Sequence, residues 1–298
     1  MEPTIPQQKP VSNKPLIIGL TLLIATVVIV IIALVIVLAN KPENQTKSTN
    51  TINQVDTNQN NQTETQTPQE TETNPIMWNF NASDWINMST IPACESPLEF
   101  NSSVDISKAT NILYPGQTRG SDFKPHGGFR FDNNLNNDLE VKLPLDAQIF
   151  QGSRYIESGE LQIILDFIAP CGIMFRFDHI KEVSAELQEF IDELPEAKAD
   201  DTRTTIFQNQ KMFKAGTIIA TEVGFSNPKN VSVDFGVYDL RATNNAANDQ
   251  SFVSKYSNKS SMAFYGLCWL NNLTTQDKAI AYSLPGSGTE GKTSDYCK

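Results

Sequence analysis

The expected fold rests on two segments, Ile173-Met-Phe-Arg-Phe177 and Val231-Ser-Val-Asp-Phe-Gly-Val237. Both are short and rich in Ile, Val and Phe, a composition that favours β-strands. Five further runs of this kind are bounded by Gly, Pro, Asn or Asp, which favour turns. These runs are Gly128–Phe131, Ala147–Gln151, Leu161–Phe167, Thr217–Thr221 and Phe264–Leu270. The sequence therefore predicts a mainly β domain.

One segment has the pattern of a helix instead. Between Val183 and Leu194 the apolar residues recur at the spacing of a single helix face, and Pro195 follows directly. Because proline lacks a backbone N–H and clashes with the preceding turn, it ends a helix. We therefore predict one helix inserted into the β domain.

Composition excludes several classes of function. The chain has 298 residues, with 23 Lys and Arg against 34 Asp and Glu, which gives a net charge of −11. A nucleic-acid-binding protein needs a basic surface to displace counterions, so we predict no nucleic-acid partner. The chain has 2 His, and a site built on three histidines is therefore excluded.

The N-terminal region predicts a membrane anchor. No charged side chain occurs from Leu16 to Leu38. At about 1.5 Å per residue, this run is long enough for the roughly 30 Å hydrocarbon core. The alternative, a cleavable signal peptide, usually has an apolar region of about 7–15 residues. We predict a cytoplasmic tail (1–15), a transmembrane anchor (16–38) and single-pass localisation in the cell membrane.

The rest of the chain is expected outside the cytoplasm. Residues 39–75 are almost wholly Asn, Gln, Thr, Glu and Ser, a composition that predicts a disordered stalk. Residues 76–298 form the predicted extracytoplasmic β domain, with a C-terminal appendage at 239–298. Asn-X-Ser/Thr triplets, such as the one at Asn101, are acceptors for glycosylation in such a compartment.

The 4 Cys all follow the apolar segment, as suits an oxidising compartment. They allow three disulfide pairings. We favour Cys268–Cys297, because this bond would hold the C-terminal segment against the run Phe264–Leu270; Cys94–Cys171 follows by elimination. The alternative is catalytic or metal-binding thiols, against which the lack of any Cys-X-X-Cys spacing argues.

Four short pieces of sequence follow one another in a characteristic order. They are Lys124-Pro-His-Gly-Gly-Phe-Arg-Phe-Asp132; Leu143-Pro-Leu-Asp-Ala-Gln-Ile-Phe150; Leu161–Leu165 followed by Ile173–Ile180; and Phe213–Ala220 followed by Val231–Val237. Together they resemble the lysostaphin/LytM-type zinc peptidases. The resemblance covers about 122–238 and implies a small β-sandwich, or barrel-sandwich hybrid, called the duplicated hybrid motif. The piece Phe213–Ala220 taken alone also suits lipoyl- and biotinyl-type hybrid barrels.

The resemblance also implies a set of site residues. It places His126, Arg130 and Asp234 where the family has its three zinc ligands. His179 and Ser232 fall where two further histidines of the family assist catalysis. A guanidinium has no lone pair for zinc, so the implied metal site is degenerate.

We predict that Arg130 and Asp234 form a charge-assisted pair in the place of zinc. One alternative is that Asp132 and Asp178 rebuild a site with His126 and Asp234 for a hard, oxygen-ligated ion. Asp132 and Arg130 are two residues apart on one strand, so they point to the same face. The remaining interpretation makes His126 a turn residue and His179 a hydrogen-bonded core histidine.

Two functions are therefore expected in competition. The first is a membrane-anchored, catalytically inactive peptidase-like module without a cofactor. It would bind an envelope glycan, peptide or protein, with Arg130, Asp132 and Asp178 as candidate ligand contacts. The second is an active zinc metalloendopeptidase acting on cell-wall peptide or a surface protein. A purely structural surface domain is a third interpretation that the sequence does not separate from the first.

Overall fold

The structure is a computed structural model that describes residues 78–80, 84–87, 90–226, 230–257 and 261–298. The predicted tail (1–15), the anchor (16–38), the whole stalk (39–75) and the predicted start of the β domain at residue 76 lie outside these residues. Among the helices that are described, none has the length and apolar character needed to cross a bilayer.

The described chain is mainly β, which confirms the prediction made from the Ile/Val/Phe-rich runs. The strands are β1 (Trp78–Phe80), β2 (Trp85–Asn87), β3 (Asn111–Leu113), β4 (Gln117–Arg119), β5 (Asp122–Lys124), β6 (Gly127–Arg130), β7 (Asp138–Lys142), β8 (Ala147–Glu157), β9 (Glu160–Ile168), β10 (Ile173–Val183), β11 (Lys198–Ala199), β12 (Thr205–Ile206), β13 (Met212–Phe213), β14 (Ile218–Val223) and β15 (Ser232–Asp239).

One large sheet organises the described residues. Its path runs β11-β8-β9-β10-β15-β6-β3, and β12 and β13 also pair with β8. Strand β14 pairs with the last part of β10 and carries β7. Two small antiparallel pairs, β1-β2 and β4-β5, stand apart from this sheet.

The two faces of the central strands differ in character, because successive side chains of a strand point to opposite faces. On β10, Phe175 and Phe177 are buried in the main core. Arg176 and Asp178 alternate with them and point to the other face. Cross-strand register places Asp178 opposite Asp234 of β15, so charged groups of two strands share that face. The sheet therefore has an apolar face and a polar face.

The apolar face is packed with aromatic rings. The rings of Phe175 and Phe235 stack at 6.2 Å, and Trp269 lies 5.1 Å from both Phe129 and Phe235. Trp269 is fully buried and belongs to the core. The predicted strand Phe264–Leu270 is wrong, because 3₁₀ turns form at Ser261–Phe264 and Trp269–Asn272. A short apolar run fits a buried turn as well as a buried strand.

Three α-helices are described: α1 (Gln188–Glu193), α2 (Gln250–Tyr256) and α3 (Thr275–Ser283). The predicted helix is present as a 3₁₀ turn, Ala185–Leu187, that continues into α1. The expectation of a single helix is wrong. Helix α3 buries only Ala281, so it has no apolar stripe, and its signal is the Thr274 side chain that caps the Asp277 N–H. The remaining 3₁₀ turns are Ile106–Lys108 and Asn245–Asn248.

Both predicted disulfides are present, Cys94–Cys171 and Cys268–Cys297. The first joins the segment before β3 to the turn between β9 and β10. The second holds the C-terminal end of the chain. Beside it, Tyr296 donates its hydroxyl to the Ala263 carbonyl and packs against Phe123 of β5. The appendage thereby supports the β4-β5 hairpin.

Candidate functional site

The five positions implied by the resemblance lie together in one cavity of about 420 Å³ on the polar face of the sheet. They are His126, Arg130, His179, Ser232 and Asp234. Both histidines of the chain are among them. Asp178 lines the same cavity, whereas Asp132 lies half-exposed at its rim. The sequence therefore identified residues that the fold brings into one place.

A close approach of β6 to β15 positions the centre of the cavity. Gly128 lies opposite Asp234 in the register of the two strands. A Cβ at Gly128 would lie 2.5 Å from the Val233 carbonyl oxygen and 2.9 Å from Asp234 Oδ1. Only glycine leaves room for the Asp234 carboxylate at this point.

Replacing Gly128 with alanine is expected to lower the free energy of unfolding by about 1–3 kcal/mol, because the methyl group must displace backbone or carboxylate. The measurement is denaturant unfolding of the purified variant. A free energy of unfolding equal to that of the wild type would show that β6 and β15 have spare room here.

The Asp234 carboxylate has two basic partners. His126 Nε2 donates to Asp234 Oδ2 at 2.9 Å, and Arg119 Nη2 lies 3.5 Å from the same oxygen. The predicted pair of Arg130 and Asp234 is therefore wrong. The cation beside Asp234 is Arg119, which comes from β4.

Arg130 instead pairs with its neighbour Asp132, with Nη2 donating to Oδ1 at 2.8 Å. The strand register explains the difference. Arg130 lies opposite Ser232, which is two residues before Asp234 along β15. Asp132 follows Arg130 by two residues and meets it at the rim of the cavity, as their shared strand parity predicts.

The β4-β5 hairpin carries Arg119 to the cavity. Its two-residue turn begins at Gly120, which has a φ of +64°, as turns of this length require. On the far side of the hairpin, Phe123 stacks on Tyr256 at 4.1 Å and Thr118 shares a hydrogen bond with the Tyr256 hydroxyl. One side is thus held by α2, and the other presents Arg119 and Lys124 to the cavity.

His179 lies at an irregular point of β10. It has a φ of +61°, which is uncommon for a residue with a side chain. Its N–H is held by Asp178 Oδ1 at 2.7 Å, and Tyr155 donates its hydroxyl to the same oxygen at 2.7 Å. The His179 Nδ1 atom lies 3.5 Å from the Tyr155 oxygen. Backbone strain of this kind is concentrated at binding and catalytic sites.

The surroundings set the charge states of these groups. Burial alone would raise the pKa of Asp234. His126 and Arg119 together lower this pKa by more than burial raises it, so the net pKa is well below the ordinary value. Burial lowers the pKa of His126, against the opposing effect of Asp234. Burial and the neighbouring Asp178 raise the pKa of Tyr155. At neutral pH the cavity therefore holds an ionised Asp234, a neutral His126 and a protonated Tyr155.

A second charge cluster supports the floor of the cavity. Asp166 of β9 is fully buried and accepts hydrogen bonds from Arg176 Nε at 2.8 Å and Nη2 at 2.7 Å. Gln151 Nε2 donates to it at 2.6 Å. Arg176 also lines the cavity. Because the two Asp166 oxygens accept from two N–H groups along one edge of the guanidinium, they hold Arg176 in a single position.

The residues present do not fit a catalytic zinc ion. Such a site usually needs three protein ligands and an open position. Here His126 and Asp234 are hydrogen-bonded directly to each other, with Arg119 beside them, and Arg130 stands at the remaining ligand position implied by the resemblance. Among the described residues, no group of three or more His, Cys, Asp or Glu side chains is placed to hold a metal ion. The same finding gives no support to the expected hard-ion site at Asp132 and Asp178.

Sequence reasoning missed Arg119, Tyr155 and Arg176 in the cavity. A signal existed for the last of these, because Asp166 is a lone charge inside an apolar strand and requires a buried partner. Arg119 and Tyr155 gave no local signal. A larger cleft of about 830 Å³ lies along β7, but no histidine lines it.

No family model matches the chain, and neither the curated proteins nor the solved structures include a significant match to it.

Proposed function

We propose that this chain is a membrane-anchored, extracytoplasmic peptidase-like module that binds an envelope peptide, glycan or protein without hydrolysing it. The anchor is the predicted segment 16–38, and the binding site is the cavity around His126 and Asp234. The fold of the described domain would be a degenerate form of the duplicated hybrid motif.

One observation carries the proposal. The Asp234 carboxylate, for which the resemblance implies the position of a metal ligand, is already occupied by the His126 imidazole and the Arg119 guanidinium. A guanidinium stays charged and offers no lone pair, so this arrangement satisfies Asp234 internally. The positive charge that zinc would supply comes from a side chain of the protein.

The placement of the motifs gives further support. Pieces that are far apart in the sequence, from His126 to Asp234, meet on adjacent strands β6, β15 and β10. They surround a cavity with several polar groups in convergent positions, which is the usual form of a ligand site.

The second candidate is a zinc endopeptidase with a rearranged set of ligands. It is favoured by the retention of His126 and His179, which lie in the same cavity. A rearrangement would have to move Arg119 away from Asp234 and free the His126 Nε2 atom. The first proposal requires no such movement.

Metal analysis and a peptidase assay separate the two candidates. We expect the purified full-length protein to contain no stoichiometric zinc, and to leave cell-wall peptide uncleaved with or without chelator. As a matched control, the triple variant Arg119→Gln, Arg130→Asp and Asp234→His restores the family's ligand types. This variant is expected to gain zinc. Stoichiometric zinc together with chelator-sensitive cleavage in the wild type would overturn the proposal.

A further inference from the structure

Arg119 is a mostly buried cation with unfilled hydrogen-bonding capacity. Its side chain is 18% exposed. The Nη2 atom donates to the His126 carbonyl oxygen at 3.3 Å and lies 3.5 Å from Asp234. Within the described residues the Nη1 atom is buried and has no acceptor. Buried charged donors are costly unless they are hydrogen-bonded, so the position calls for a further acceptor.

Two more cations lie at the same end of the cavity. Lys124 is on β5, and it forms no ion pair within the part of the chain that the structure describes. Arg130 of β6 donates a hydrogen bond from Nη2 to Asp132, and the other N–H groups of its guanidinium are left for a ligand. Three of the six arginines of this acidic chain line the cavity, and one of them, Arg176, is occupied by Asp166. The cations that favour an anionic ligand group are therefore Arg119, Lys124 and Arg130.

The β8 side of the cavity has a different character. Glu157 of β8 supplies a carboxylate there, and Ile164 of β9 supplies apolar surface. Strand β8 is separated from β6 by β9, β10 and β15, so Glu157 lies across the sheet from Arg130. Asp178 of β10 lies between them, opposite Asp234 of β15. The C-terminal end of a peptide has a carboxylate, then backbone N–H donors and an apolar side chain. These groups match the cations beside β6 and the carboxylates and apolar surface that follow towards β8.

We propose that the cavity binds the free C-terminal carboxylate of a peptide, with Arg119, Lys124 and Arg130 around the carboxylate. The peptide N–H groups face Asp178 and Glu157. The proposal rests on the proposed binding function of the same cavity and names its ligand class. Recognition of a terminal carboxylate by clustered donors is an established mode of peptide binding.

The two histidines provide a direct probe of binding, because both line the cavity. The full-length protein is labelled at histidine and titrated with N-acetyl-trialanine, followed by NMR. The comparison compounds are the same tripeptide as its C-terminal amide, galacturonate and inorganic phosphate. We expect saturable shifts of the His126 and His179 signals with the free acid, and at least tenfold weaker binding of the amide.

Variants test the residues involved. Arg119→Gln and Lys124→Gln are each expected to weaken binding of the free acid at least tenfold. Lys124 makes no ion pair in the described residues, so its variant keeps the test valid if Arg119→Gln fails to fold. The control is Arg203→Gln, which alters an arginine that is 86% exposed and outside this cavity. It is expected to bind like the wild type.

The outcomes are distinct. Equal binding of the acid and the amide would overturn the carboxylate assignment and leave the non-catalytic module standing. Tighter binding of galacturonate or phosphate would overturn the peptide assignment. Absence of saturable shifts with all four compounds would overturn the proposal. Stoichiometric zinc together with chelator-sensitive cleavage, by contrast, would contradict the proposed function whatever the titrations show.

Discussion

Replacing Asp166 with alanine is expected to lower the free energy of unfolding by about 3–5 kcal/mol. Asp166 is fully buried and holds both Arg176 and Gln151. Its removal leaves a guanidinium in a poorly hydrated position without its counter-charge, and an amide without its acceptor. The measurement is denaturant unfolding, with the midpoint and the slope determined separately.

Asp201 provides a matched control for this prediction. It accepts the same two hydrogen bonds from Arg203, at 2.7 Å and 2.6 Å, but the pair lies at the surface. Since water replaces the lost contacts there, Asp201→Ala is expected to change stability little. The double replacement Asp166→Leu with Arg176→Met should recover much of the loss, because it removes both charges. Equal effects of Asp166→Ala and Asp201→Ala would contradict the assigned role of burial.

The second large effect is expected at Asp234. The variant Asp234→Asn should lower the free energy of unfolding by about 3–5 kcal/mol, because Arg119 loses its counter-charge and His126 loses an ionised acceptor. Arg130→Ala should cost at most about 1 kcal/mol, since its pair with Asp132 is partly exposed. A double-mutant cycle should show coupling of Asp234 to Arg119 and none to Arg130. Coupling of Asp234 to Arg130 would show instead that these two residues form the pair predicted from the sequence.

The effect of Asp234 should depend on pH in a defined direction. In the folded protein the pKa of Asp234 lies below its ordinary value of 3.8. Its stabilising contribution is therefore complete above this value and decreases as the pH falls from 3.8 towards the folded pKa. The difference in stability between the wild type and Asp234→Asn should narrow over this range. A difference in stability between the two proteins that stays constant down to pH 2 would contradict the lowered pKa of Asp234.

The content of strands was predictable because it depends on local composition. Runs such as Ile173–Phe177 and Val231–Val237 are strands as predicted, although β10 and β8 extend well beyond the predicted ends. Polar residues such as Arg154 and Lys181 continue these strands, since neighbouring strands supply hydrogen-bond partners that composition does not reveal. Helix α3 escaped prediction for the converse reason, because it has a cap but no apolar stripe.

Part of the candidate site was likewise predictable from the sequence, and part of it was not. The resemblance to the peptidase family grouped His126, Arg130, His179, Ser232 and Asp234, and the cavity contains all of them. The partner of Asp234 could not be predicted, because it depends on the register of β6 against β15 and on a hairpin outside the motifs. A shift of one residue in register reverses which face a side chain occupies.

The sequence by itself determined the mainly β architecture, because strand content depends on local composition. It allowed three disulfide pairings, of which the favoured one is present. The resemblance to a peptidase family selected residues that share a cavity. Only the tertiary structure decided that Arg119, rather than Arg130, is the cation beside Asp234. That contact joins the β4-β5 hairpin, held by α2 and Tyr296, to a strand more than a hundred residues later. Such a contact depends on the packing of distant segments, and no local pattern encodes it.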